Sequence, residues 1–225
     1  MKKNEKRNDL NGNVKCAEST ELVFIIDRSG SMAGFEDDTV GGFNSMIKKQ
    51  TEKGGEVFVS TVLFNTESKV VHDRVPIKDV KAMKREDYVA SGGTALLDAI
   101  GGAVHHIGNV HKYARREDVP KHTIFVITTD GMENSSREYS SRRVKEMIDR
   151  QTKKYGWEFV FVAANIDAIE TADSIGIRRE RAAEYRQNSE GIDACYDAMS
   201  AFVSMARSEG SISDDDESWK LALKK

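Results

Sequence analysis

Cysteine is scarce. Two thiols in 225 residues, Cys16 in a polar arm and Cys195 in an expected helix, make neither a disulfide framework nor a zinc-ligand spacing, so both are expected to be reduced and structural or incidental. Long apolar runs are missing too. No window approaches the ~18 apolar residues of a membrane span, and the opening MKKNEKRNDLNGNVK carries charge with no apolar run behind it, so no secretory signal is expected. Charge of one sign is also lacking. With 34 Lys and Arg against 37 Asp and Glu the formal net charge is -3, which gives no global field for nucleic acid or an anionic membrane and leaves recognition to a local site. The expectation is a cytoplasmic protein of bacterial type whose oligomeric state the sequence does not specify. Catalytic signatures are absent as well: no G-x-S-x-G, no P-loop with its lysine, and no G-x-G-x-x-G after the first strand.

What is present is organised around Val23-Phe24-Ile25-Ile26-Asp27-Arg28-Ser29-Gly30-Ser31-Met32. Four apolar residues followed by a polar, glycine-containing turn read as a buried parallel strand that delivers Asp27, Ser29 and Ser31 to its carboxyl end, where open α/β sheets bind ligands. One carboxylate and two hydroxyls are hard oxygen donors, suited to Mg²⁺, Mn²⁺ or Ca²⁺. Taken alone, the same residues are also ordinary turn chemistry, and Ser31 or Asp38 could cap the following helix.

The rest of the chain alternates. Strands are expected near 21–27, 56–64, 69–75, 123–129, 158–163 and 182–185, with helices near 39–53, 94–114, 140–154, 167–174 and 191–206. The Asn65-Thr66-Glu67-Ser68 link makes the second and third strands a hairpin, and residues 77–88 form a charged connection containing a short helix. This pattern predicts an α/β fold: a doubly wound, mostly parallel sheet with one antiparallel edge strand and helices on both faces. Residues 1–18 read as a disordered arm, 19–206 as the domain, and 207–225, with Asp214-Asp215-Asp216-Glu217, as an acidic flexible tail with a short amphipathic end from Trp219 to Leu223. If the first strand and the strand ending at Asp130 lie side by side, Asp27, Ser29, Ser31, Thr94 and Asp130 converge at the switch point between them.

Asp27-x-Ser29-x-Ser31 after an apolar strand, a Gly-Gly-Thr94 turn opening a helix, and Thr-Asp130-Gly closing a second apolar strand resemble the metal-ion-dependent adhesion site of the von Willebrand factor type A (VWA) domain family, over about residues 19–206. The resemblance implies Mg²⁺ in a near-octahedral shell, with Ser29 and Ser31 direct ligands, Thr94 direct or through water, and Asp27 and Asp130 acting largely through water. One position is left for an Asp or Glu carboxylate of a protein partner. A metal held mainly by neutral hydroxyls stays electrophilic, which suits recognition. The function so implied is a metal-dependent protein interaction module, an adaptor or assembly subunit rather than an enzyme; in the family, exchange of the residues matching Thr94 and Asp130 between direct and water-mediated contact can accompany movement of the last helix.

The alternative is a Mg²⁺-dependent phosphoryl-transfer or hydrolytic enzyme using Asp27 as nucleophile. Such enzymes place a second carboxylate two residues on, where this chain has Ser29. Around the mouth, Arg28 could steer an acidic partner, and Met32, Phe35 and Met132 could form an apolar rim. Glu133 and Asn134 could reach the metal's water shell, with helix capping by Asn134 or Ser135 the competing role. His105, His106 and His111 do not stand one turn apart as paired zinc ligands do, and are read as surface or partly buried side chains.

Overall fold

The computed structural model describes residues 17–210 and 212–224. The expected N-terminal arm, apart from its last two residues, lies outside them, as does Cys16. Six strands form one sheet: β1 (Ala17–Asp27), β2 (Glu56–Phe64), β3 (Ser68–Pro76), β4 (Pro120–Thr129), β5 (Glu158–Ala163) and β6 (Ala182–Glu184). Their order is β3-β2-β1-β4-β5-β6, with β2 and β3 antiparallel and every other pair parallel. The expected doubly wound sheet with one antiparallel edge strand is the one observed.

Five helices cover it: α1 (Glu36–Glu52), α2 (Leu96–Tyr113), α3 (Ser141–Tyr155), α4 (Ala168–Ser174) and α5 (Ser189–Glu209). Side chains alternate across a strand, so Leu22, Phe24 and Ile26 pack with α1 and α5, while Val23 and Ile25 pack with α2 and α3 on the opposite face. Both faces are thus buried, which is why β1 needs an unbroken apolar run. Among its buried polar residues is Glu21, whose Oε2 accepts from Arg74 Nε at 2.8 Å and lies 3.3 Å from His111 Nε2.

The connection at 77–88 holds two single 3-10 turns, Ile77–Asp79 and Arg85–Asp87, instead of one short helix. It ends by burying Tyr88, whose hydroxyl donates to the Asp27 carbonyl.

The tail departs from expectation. Helix α5 runs on to Glu209 and stops at Gly210 with φ 80°, a conformation that glycine accepts without strain. Beyond it the chain folds back, with Ile212 4% and Trp219 1% exposed and a 3-10 stretch over Ser218–Lys224. Trp219 meets Phe202 of α5 edge-on with ring centroids 5.5 Å apart. Arg181, itself 2% exposed, pairs with Glu158 at 3.2 Å and donates to the carbonyls of Ile212 and Ser213. Asp214, Asp215 and Glu217 remain exposed between these two anchors. Composition averaged over the acidic run hides them, whereas one buried indole and one isoleucine are enough to hold the segment down. Trp219→Ala is therefore expected to lower stability by about 3 kcal/mol in urea unfolding, a loss that a freely solvated tail would not produce.

Candidate metal centre

The site is built at the carboxyl ends of the adjacent strands β1 and β4. Asp27, 1% exposed, closes β1; its carboxylate accepts from the Ser29 amide and from Thr129 Oγ1, both at 2.6 Å. The first of these bonds is the Asx-type contact that turns the chain sharply after the strand. A 3-10 turn, Gly30–Met32, follows and is pinned by Met32, which enters the core. Gly30 donates its amide to the Gly92 carbonyl at 3.0 Å, and a Cβ on Gly30 would stand 3.3 Å from that oxygen. The β1 loop and the Ser91–Thr94 turn therefore meet backbone to backbone.

That turn requires glycine at a second point. Gly92 has φ 74°, and a Cβ there would sit 2.7 Å from Thr66 Oγ1. Thr94 is held by its main chain: its amide donates to Asn134 Oδ1 at 2.9 Å and its carbonyl accepts from the amides of Asn134 and Ser135. Its hydroxyl has no hydrogen bond among the described residues and faces the same space as Ser31. An added Cβ on Gly131 would lie 3.5 Å from Thr94 Oγ1 and 3.6 Å from Ser31 Oγ.

All five expected residues thus converge, in two layers. In the outer layer Ser29 Oγ and Ser31 Oγ are 3.1 Å apart, and both donate to Asp130 Oδ1, at 3.4 and 2.7 Å. Asp27 lies one layer behind and reaches the cluster through the Ser29 amide. Ser31 alone of the five is exposed, so it marks the mouth.

Burial pushes the carboxyls of both Asp27 and Asp130 above their ordinary value. For Asp27 the charge of Asp130 adds to that effect, while hydrogen bonds from Thr129 and Ser29 oppose it. For Asp130 the bonds from Ser31, Ser29 and Gln187 oppose it. Two acids whose ionised forms are penalised, faced by three hydroxyls, suit a hard divalent cation that offsets the charge. Among the described residues no group of three or more His, Cys, Asp or Glu side chains is placed to hold a metal.

Several neighbours take roles that differ from expectation. Met32 is buried, so it is no part of a rim, whereas Met132 is 73% exposed. Phe35 is partly buried against the core. Glu133 and Asn134 fasten the start of α2: Glu133 Oε2 accepts the Leu97 amide at 2.9 Å, and Asn134 holds Thr94. The cap of α3 is instead Ser140, which accepts from the Arg143 amide. The ends of an element are satisfied by whichever acceptor the tertiary fold brings near, which sequence proximity does not reveal.

Sequence reasoning missed Gln187. It sits on the β6–α5 link, and its Nε2 donates to Ser31 O at 3.0 Å and to Asp130 Oδ2, while its Oε1 accepts from Asn165 Nδ2. Asn165 has φ 56°, a left-handed conformation that asparagine tolerates better than most residues, and also donates to the Asp130 carbonyl at 3.4 Å. The strand end carrying Asn165 was visible in the sequence; the approach of Gln187 from 57 residues beyond Asp130 was not.

Strand order, switch-point loops and this hydroxyl-carboxylate cluster define the class: a VWA-type α/β domain. The chain belongs to the family of VWA domain containing CoxE-like proteins, whose description matches residues 12–168. No curated protein matches the sequence significantly. Solved structures share the fold at low identity. The VWF domain of the type V pilus tip protein Mfa5 from Porphyromonas gingivalis has a TM-score of 0.61 at 11% identity, covering 89% of this chain and 100% of that one. A variant of the PilB minor pilin from Streptococcus sanguinis gives 0.56 at 14%, covering 87% of this chain and 63% of that one. The SpRpn10 VWA domain gives 0.55 at 10%, covering 80% and 94%. This chain therefore spans less than two thirds of the pilin. Domains of this family are generally protein-interaction modules.

Proposed function

We propose that this protein is a divalent-metal-dependent interaction module of the cytosol of a bacterial cell, recognising an Asp or Glu carboxylate of a protein partner. The observation that carries the reading is the meeting of Ser29, Ser31 and Asp130 within hydrogen-bond distance, with the unpaired Thr94 hydroxyl beside them. These four residues, with Asp27 behind, would hold Mg²⁺, or Mn²⁺ or Ca²⁺ in its place. The cation, when bound, supplies an electrophilic position for an anionic oxygen. Arg28, half-buried directly after Asp27, adds a cationic side chain that favours an acidic partner. The side chain of Met132 offers apolar contact nearby.

The enzymatic alternative gains no support. Asp27, the nucleophile of that reading, is buried and both its oxygens are committed to Ser29 and Thr129.

Titration calorimetry of the full chain with Mg²⁺ and Mn²⁺, with and without acetate, beside Ser29→Ala, tests the proposal. Binding that the carboxylate strengthens and the variant loses is expected. Wild-type protein that is folded yet takes up neither metal would overturn it.

A further inference from the structure

At the opposite end of the sheet, about 30 Å from the metal centre by the length of β4, lies a separate cavity of about 770 Å³. It opens between the C-terminal half of α2, α3, the first residues of β4 and Trp157 just before β5. Its cationic lining is Lys112, Arg116, Lys121, Arg143 and Arg150, and among the described residues no Asp or Glu lines it. The acids close by in sequence are engaged elsewhere: Glu117 and Asp118 both pair with Arg115, at 3.0 and 2.7 Å. Arg143 has Glu146 at 3.7 Å, whereas Lys112, Arg116 and Arg150 have no carboxylate within ion-pair distance among the described residues. A concave, low-dielectric wall carrying one sign of charge focuses its field on an anion.

The inner wall is of a different kind. Trp157, 4% exposed, lines it, braced by stacking on Phe125 at 5.4 Å and by the edge of His111 at 5.4 Å. Gly108 on α2 leaves this wall without a side chain; a Cβ there would lie 3.1 Å from Gln151 Nε2 and 4.0 Å from the Trp157 ring. Gln151 also lines the cavity.

Taken together these walls ask for a ligand with two halves: an anionic group at the cationic rim, and a flat, largely apolar ring against Trp157 in the space that Gly108 leaves open. We propose that the cavity binds a small nucleoside phosphate. The volume falls within the range of small-molecule sites. A nucleic acid strand is the poorer fit, since the cations surround a concavity rather than track along a face. This site shares no residue with the metal centre and stands independently of the function proposed above.

The test titrates the full chain, in chelator so that the metal centre cannot hold phosphate through a cation, with ADP, adenosine, pyrophosphate and a short single-stranded oligonucleotide. Tryptophan fluorescence and calorimetry give the readout. Saturable binding of ADP is expected, quenching Trp157, tighter than either adenosine or pyrophosphate alone. Arg150→Glu and Arg116→Glu, both at exposed positions and checked for fold by circular dichroism, should each weaken it at least about tenfold. No saturable ADP binding, equal affinity for pyrophosphate, tighter binding of the oligonucleotide, or unchanged affinity in both variants overturns the proposal.

Discussion

Asp27→Ala is expected to abolish Mg²⁺ binding and, in chelator, to lower the thermal midpoint by roughly 5–10 °C, whereas Asp27→Asn loses the metal alone. The difference follows from what the carboxylate holds. One oxygen takes the Ser29 amide and the other the Thr129 hydroxyl, both at 2.6 Å in a site 1% exposed. Alanine leaves the buried Ser29 amide unpaired and the Thr129 hydroxyl with only its longer bond to Gly131 O, a loss of about 1–3 kcal/mol for the first and less for the second, and removing a carboxylate that burial already penalises gives part of that back. A net loss of about 2–3 kcal/mol is a shift of that size in a domain of this length. Asparagine keeps an acceptor for the Ser29 amide, and the Thr129 hydroxyl already has Gly131 O at 3.2 Å as a second acceptor. What asparagine lacks is the charge. Ser31→Ala, at the exposed mouth, should resemble the asparagine variant: affinity down by about tenfold to a hundredfold with the thermal midpoint preserved. Differential scanning calorimetry in chelator, set beside metal titration of the three variants, separates the two effects. Equal midpoints for the alanine and asparagine forms of residue 27 would mean that the two hydrogen bonds do not support the loop.

The fold was largely legible because its signals are local. An unbroken apolar run such as Val23 to Ile26 demands cover on both faces, and the 3.6-residue stripe of Leu97, Ile100, Val104 and Ile107 supplies part of it, although Leu97 turns out only partly buried. The convergence of the five expected residues was legible for a related reason. Each follows a strand or opens a helix, so strand order alone brings them together. What the sequence concealed depends on where remote chain ends land. Tyr88 under the Asp27 carbonyl, Glu133 on the start of α2 and Trp219 against Phe202 have no local pattern that distinguishes them from ordinary loop or tail residues. Met32 shows the same limit in reverse. It lies among polar loop residues and read as surface, yet the 3-10 turn points it into the core, where it anchors the loop.

Gln187→Ala is expected to raise Mg²⁺ affinity by up to about tenfold while loosening the start of α5. Gln187 Nε2 donates to Asp130 Oδ2 and reaches Ser31 O at 3.0 Å, so it ties the outer layer of the site to the link that leads into the helix. The next residue, Asn188, is the N-cap of α5, its side chain accepting the Gly191 amide at 2.7 Å. A strap of this kind couples two events. Any rearrangement that frees Asp130 for a cation breaks a hydrogen bond to an ionised group, at a cost of about 1.5–3 kcal/mol, and releases the amino end of α5 together with it. Removing the glutamine amide removes that cost from the metal equilibrium, and 1.4 kcal/mol corresponds to a tenfold change in affinity. By linkage the reverse holds, so metal binding to the wild type should speed amide exchange in the first turns of α5, and the variant should show the faster exchange before metal is added. If Gln187 instead serves to aim Asp130 at the cation, affinity falls in the variant and exchange is unaltered. The sign of the affinity change therefore decides whether this side chain restrains the site or completes it.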